Sequence, residues 1–318
     1  IAQNIFQNFQ YFSLWIVLII YLQLLFSYLI IFNLTKNFYF STISMFFFIL
    51  APVFLNRSGI HLSLAGHWII LFSFYIESSN SKLKPMLRGF NLILSSLIFF
   101  YFTMMLIILN SLTYLFLLIK KKSLYKNIFK EIILIYPLLF LTMYIVGYFT
   151  IRPEDSLGGG YGYYNLNLNS LFNPNGFNFS GSFNWSILMP KLPFNNGEYE
   201  GFSYLGMGGF FLLFFAILSF FKNIREFFIS RKEILLIFFV FLALSISQNI
   251  NFGEINILSI DLNNYILGVL STIRSSGRLI WPVYYLIFIL GIFFIFNHFS
   301  GKKRFIILIS LLFIQLID

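Results

Sequence analysis

Long apolar runs separated by short polar breaks organise the whole chain. Nine runs stand out: Tyr11–Phe32, Phe38–Leu55, Leu62–Ile76, Phe90–Ile119, Ile132–Thr150, Phe202–Phe221, Ile234–Ser247, Leu279–Phe296 and Phe305–Leu316. About 20 apolar residues cross the roughly 30 Å hydrocarbon layer of a bilayer. An α-helix satisfies its own backbone groups there, whereas a β-barrel would show alternating segments of about 10 residues. Tyr11–Asn33 and Ile132–Ile151 do not alternate. The pattern therefore predicts an all-α, polytopic transmembrane helical bundle. Phe90–Ile119 is 30 residues long, which suits either one tilted helix or a hairpin that breaks near Phe100–Thr103.

Charge chooses between these, because Lys and Arg gather in cytoplasmic loops. With the hairpin, sixteen of the 21 Lys and Arg fall on one side. They include Lys36, Lys82, Lys84, Arg88, Lys120, Lys121, Lys122, Arg225, Arg231 and Lys302. Arg57, Arg152, Lys191, Arg274 and Arg278 remain on the other. A single span leaves thirteen cations on one side and eight on the other, a weaker bias, so the expectation is a hairpin and about ten membrane segments.

The cation-poor side carries two large loops, residues 151–201 and 248–278, within a single transmembrane domain spanning residues 1–318. It also carries Glu154, Asp155, Glu198, Glu200, Glu254, Asp261 and Asp318. The first loop is rich in Gly, Asn and aromatic residues and contains Pro174, Pro190 and Pro193, which predicts a folded cap with short interfacial helices. Function is expected on this face, where polar groups are not needed to set topology.

Composition fits this picture: 59% of residues are hydrophobic and 10% charged, too few polar groups to cover a soluble domain. The net charge of +10 is accounted for by the cytoplasmic cations, which removes nucleic acid as a partner. With no cysteine, disulfide and thiolate chemistry are excluded. The chain starts at Ile1 without a basic leader, and it is expected to be an internal fragment of a longer protein.

Three clusters could carry chemistry. In the first, Arg57 and His61 lie at a helix boundary and His67 about one turn into the next segment. A histidine inside a membrane span needs a partner or a polar cavity, so this wall either holds a phosphate or sugar hydroxyl or bonds a neighbouring helix. The two histidines are six apart, unlike the i,i+4 spacing of zinc ligands on one helix face. In the second, Glu200 precedes Gly201 and a membrane helix. It suits a general base, a metal ligand, a partner for an arginine or a helix-dipole carboxylate; Glu198 reads as solvated. In the third, Arg274, Ser275, Ser276 and Arg278 precede Trp281. Arginine forks match phosphate oxygens and serine hydroxyls add donors; pairing of these arginines with Glu200, Glu254 or Asp261, or with lipid headgroups, is the competing use.

Taken in order, Leu50–Arg57, Gly66–Leu71, Gly162–Pro174, Tyr199–Gly206 and Ser275–Tyr285 resemble a family of uncharacterised bacterial inner-membrane proteins related to GT-C-type glycosyltransferases. The resemblance covers nearly the whole chain. It implies a multi-pass inner-membrane enzyme with periplasmic loops, moving a sugar from a polyprenyl-phosphate donor to a periplasmic acceptor. Membrane lipid and that donor would be its partners. In this reading Arg57, His67, Arg274, Ser276 and Arg278 hold the donor or its leaving phosphate. Glu200 is the catalytic candidate within the chain, while the main acid is expected upstream of Ile1. A divalent metal ion is an open cofactor. The alternatives are a flippase for a lipid-linked glycan and a non-catalytic assembly subunit.

Overall fold

The computed structural model describes residues 11–120, 125–150, 160–178, 180–222 and 232–318. The start of the first large loop, with Arg152, Glu154 and Asp155, lies outside the described residues, as do Lys121, Lys122, Arg225 and Arg231. The protein is mostly helical. In chain order the helices are α1 (Tyr11–Thr35), α2 (Phe38–Ile49), α3 (Pro52–Ile60), α4 (Trp68–Ser78), α5 (Lys84–Ile98), α6 (Phe100–Lys120) and α7 (Tyr125–Val146). They continue with α8 (Met207–Lys222), α9 (Lys232–Ile246), α10 (Asn264–Leu270), α11 (Trp281–His298) and α12 (Gly301–Ile317).

Among the described residues four helices are long and apolar enough to cross a membrane: α1, α6, α7 and α11 with the 3-10 turn before it. Counting α2 and α3 as one span broken by a 50° bend gives five. The bend falls at Leu50–Ala51, and Pro52 at the start of α3 explains it, since proline disfavours a helical conformation in the residue before it. Each of the nine apolar runs contains a helix, but α4, α5, α8, α9 and α12 are shorter than a full crossing.

Phe90–Ile119 is a hairpin. The chain breaks at Phe99, whose backbone is extended (φ −166°, ψ 140°), and α5 and α6 then run antiparallel. Ser95 donates to Thr103 Oγ1 near the turn at 3.3 Å, and Arg88 lies over the Tyr114 ring farther from it. The hairpin gives the bundle two distinct ends. At one, Arg88 bridges Glu77 and Glu131, and Lys120 pairs with Glu233. At the other, the Phe99 turn brings Tyr101 against the segment that carries Arg278.

α11 is the core. It is apolar on all sides, with Trp281, Val283, Tyr284, Tyr285, Phe288, Ile292 and Ile295 buried, as expected of a helix surrounded by others. Glycines let α8 approach it closely. A Cβ on Gly291 would meet the Leu212 backbone, with Leu212 C at 2.8 Å, and one on Gly209 would sit 2.9 Å from Phe288. Small residues at such crossings replace the hydrophobic drive that is absent between helices in lipid. In contrast, α7 and the start of α1 expose large apolar side chains such as Leu134, Phe140, Tyr144, Val17 and Tyr21. That exposure fits a lipid-facing surface.

Two expectations fail here. The large loops carry little helix: among the described residues the first holds the antiparallel hairpin β1–β2 (Asn175–Asn178 with Gly181–Asn184) and a 3-10 turn at Glu198–Gly201. The second holds the hairpin β3–β4 (Asn249–Phe252 with Ile255–Ser259) and only the short α10. Asparagine side chains that bond backbone groups, and prolines, favour turns over helix. Arg88, taken as a loop cation, is instead buried between Glu77 and Glu131.

Candidate functional site

The site is built by close backbone approach. Glu200 lies in the 3-10 turn Glu198–Gly201, and Arg278 in the 3-10 turn Ser276–Ile280 that leads into α11. Gly201 and Gly277 flank them. A Cβ on Gly277 would lie 2.7 Å from Gly201 Cα and 2.9 Å from Asn165 O, and one on Gly201 would lie 2.7 Å from Asn165 O. The Gly277 N–H donates to the Tyr164 carbonyl at 3.0 Å. Only glycines permit this three-way contact, and the contact sets Arg278 beside Glu200.

A single carboxylate oxygen, Glu200 Oε2, accepts from Arg278 Nη2 at 2.8 Å, Arg278 Nε at 3.0 Å and Arg57 Nη2 at 3.1 Å. Arg57 Nη2 also reaches the Glu200 backbone carbonyl at 3.1 Å. Aromatic rings support both guanidiniums: Arg278 lies 4.7 Å from the Tyr101 ring centroid and Arg57 5.9 Å from that of Trp281. Burial pushes the Glu200 carboxyl up, but Arg57 and Arg278 outweigh it and hold the group below the usual carboxylate range. Two guanidiniums and one carboxylate leave one net positive charge. Arg57 Nε is buried without a partner among the described residues, and a buried donor left unpaired is costly.

The other candidates are placed differently. Arg274 is exposed and apart from Glu200; its Nη2 donates to Tyr164 Oη at 3.0 Å and its guanidinium covers that ring at 4.9 Å. Ser276 is fully buried and donates to the Ser245 carbonyl at 3.3 Å. His61 caps the end of α3 at the surface. His67 lies deeper, stacked on Trp281 at 4.3 Å, with Nδ1 2.8 Å from Tyr285 Oη. Tyr285 Oη in turn accepts from Gln23 at 3.2 Å. Arg57 and His67 thus both lie against the Trp281 ring, and His67 makes no hydrogen bond to the cluster among the described residues. Among the described residues no three acidic or histidine side chains form a group that could hold a metal ion.

Glu198 corrects the sequence reading. It is buried rather than solvated, because Asn167 and Asn251 side chains and the Asn195 backbone N–H each donate to it at 2.7 Å. It ties the two large loops together. Tyr101, Tyr164 and Glu198 were not among the expected site residues. Of these, Tyr101 had a signal: a hydroxyl-bearing aromatic at the proposed helix break.

These features define a helical membrane protein with a buried arginine–carboxylate cluster at one end of its bundle. The chain belongs to the family described as a domain of unknown function, DUF6311, whose model matches residues 1–318. No curated protein and no solved structure matches it.

Proposed function

We propose that the protein is an inner-membrane glycosyltransferase that takes a sugar from a polyprenyl-phosphate-linked donor. The observation that carries the phosphate part is the cluster itself: Arg57 and Arg278 share one oxygen of Glu200, which leaves a net positive charge and an unpaired guanidinium donor. Arginine presents a planar fork that suits phosphate oxygens. The transfer step rests on the resemblance of the ordered motifs to GT-C-type enzymes. In this reading the chain crosses a bacterial inner membrane about ten times, and the cluster faces the periplasm.

In the step, an acceptor hydroxyl oxygen bonds to the anomeric carbon and the bond to the phosphate breaks. Polyprenyl phosphate leaves with the electron pair, and the acceptor proton passes to a base. Arg57 and Arg278 stabilise the charge developing on the leaving phosphate. Glu200 is suited to positioning them: an oxygen holding three N–H donors and a lowered affinity for protons make a weak base. Arg274 offers a second, solvent-side cation. His67 acts through Trp281 by fixing the ring beneath Arg57.

The test is transfer of labelled sugar from a polyprenyl-phosphate donor by the protein in lipid vesicles, together with donor binding. Transfer by the wild type, and loss of donor binding in Arg278→Ala, is the expected result. Absence of transfer, with donor binding unaltered in that variant, sinks the proposal. A flippase for the same lipid is a second reading, favoured by the buried polar run His67–Tyr285–Gln23 inside the bundle. It requires movement of the lipid across vesicles without sugar transfer.

A further inference from the structure

A second recess lies between the two large loops, separated from the arginine cluster by the backbone of Asn165. Its volume is about 390 Å³, within the range of small-ligand sites. Tyr163, Asn195, Asn196, Asn249, Glu254 and Asn256 contribute to its lining, which among the described residues contains no Lys, Arg or His.

Its groups divide into a frame and a rim. The amide donors of the frame are committed to internal bonds. Glu198 takes three donors, as above, and Asn165 Nδ2 donates to the Asn249 carbonyl at 2.6 Å. Asn249 Nδ2 donates to the Gly162 carbonyl at 2.9 Å, and Asn256 Nδ2 to Asn251 Oδ1 at 2.7 Å. The rim is uncommitted: the side chains of Asn195, Asn196 and Glu254 have no hydrogen-bond partner among the described residues. Tyr163 is half-exposed, and its ring is backed by the Gly197 backbone, where a Cβ would lie 2.6 Å away. Gly197 has φ 96°, so a side chain there is disfavoured twice over.

From this we infer that the recess binds a neutral, hydroxyl-rich ligand of the carbohydrate class. Each free amide pairs a donor with an acceptor, the combination that neighbouring sugar hydroxyls match. A fixed aromatic ring offers a face for sugar C–H groups. Among the described residues the lining offers a phosphate no cation, and its polar character disfavours a lipid tail. The rigid frame lowers the ordering cost of binding. The recess would hold the acceptor glycan; that role rests on the proposed sugar transfer, whereas carbohydrate binding does not.

The experiment is saturation-transfer NMR on the full chain in a detergent without a sugar headgroup. The probes are glucose, galactose, mannose and N-acetylglucosamine at millimolar concentration. At least one should show transfer to its ring protons, with a dissociation constant of roughly millimolar order. Tyr163→Ala and Asn196→Ala should each weaken it about fivefold or more, as expected for loss of a ring face or a hydrogen bond. Both positions are at the surface of the recess and outside the frame. No transfer to any of the four sugars overturns the inference. So does equal binding by the wild type and both rim variants, or binding of calcium chloride that Glu254→Gln abolishes while no sugar binds. If sugars bind here but the donor assay fails, the proposed transfer falls and this site stands.

Discussion

Replacing Glu200 by Gln keeps the size of the side chain and removes its charge, which isolates the role of the arginine cluster. Three N–H donors converge on one oxygen in the wild type. The guanidiniums are nearly buried, Arg57 at 5% and Arg278 at 9% side-chain exposure. Removing one partner from such a buried set costs about 3–5 kcal/mol, because the remaining charges stay buried without compensation. The net charge of the cluster rises by one unit. Added inorganic phosphate should then recover part of the loss, since a ligand at about 100 times its dissociation constant stabilises by roughly 2.7 kcal/mol. The assay is thermal unfolding in a detergent that carries no phosphate, with and without added phosphate, for the wild type and E200Q. The expected result is a large destabilisation of E200Q and a larger phosphate-induced rise in Tm than in the wild type. An undiminished Tm in E200Q would refute the argument that the carboxylate compensates the arginines. Equal phosphate shifts in both proteins would refute the argument that the cluster accepts an anion.

Gly277→Ala should destabilise by about 1–3 kcal/mol, the cost of overpacking, because its Cβ meets fixed backbone atoms of Gly201 and Asn165. Gly59→Ala, in α3 with open space around it, should be neutral or stabilising by up to about 1 kcal/mol; equal Tm values for the two variants would contradict the packing account. For pH, the Glu200 carboxyl titrates below its ordinary 4.5 in the folded protein. Its contribution to stability is therefore present in full above about 4.5 and lost as pH falls through the lower folded value. Acid unfolding curves should show this component in the wild type and lack it in E200Q. At the opposite end of the bundle, Arg88→Ala removes the cation shared by Glu77 and Glu131, leaving Glu131 the Tyr114 hydroxyl alone, and should lower stability by about 3–5 kcal/mol, measured by the same unfolding assay; a loss below 1 kcal/mol would mark the triad as solvated.

The helical class was readable because apolar periodicity over long runs is a strong local signal, and the hairpin because charge sorting reports which helix ends share a face. The structure supplies a physical counterpart to that sorting: Arg88, Lys120, Glu131 and Glu233 lie at one end, and Arg57, Glu200 and Arg278 at the other. Arg57, Glu200 and Arg278 could each be singled out, since isolated ions near membrane segments are rare. Their convergence was only one option among several, because it spans 143 and 78 residues of separation and is fixed by Gly201 and Gly277, whose role is steric. Glu198 was misread for a related reason. Its partners, Asn167 and Asn251, are two among many asparagines, and nothing local distinguishes an amide that clamps a carboxylate from one in a turn. Arg88 shows the converse: counted as a loop cation, it sorted with the group at its own end of the bundle while its buried pairing with Glu77 and Glu131 was missed.

The two glutamates of one 3-10 turn also show how this fold separates tasks. Glu198 and Glu200 are two residues apart, yet neutral amides hold the first and guanidiniums the second. An amide donor satisfies a carboxylate without bringing in a cation, so Glu198 locks the loops through neutral partners. A guanidinium cancels charge, so Glu200 leaves an arginine pair with one unit to spare. The backbone of Asn165 runs between them, touching Gly201 and Gly277 on one side and lining the recess on the other. A ligand with a hydroxyl-rich part and a phosphate, or two ligands that must meet, would find both chemistries separated by one layer of chain. Moving that layer, as Gly277→Ala should, would disturb both sites together, whereas a rim change such as Asn196→Ala should disturb one.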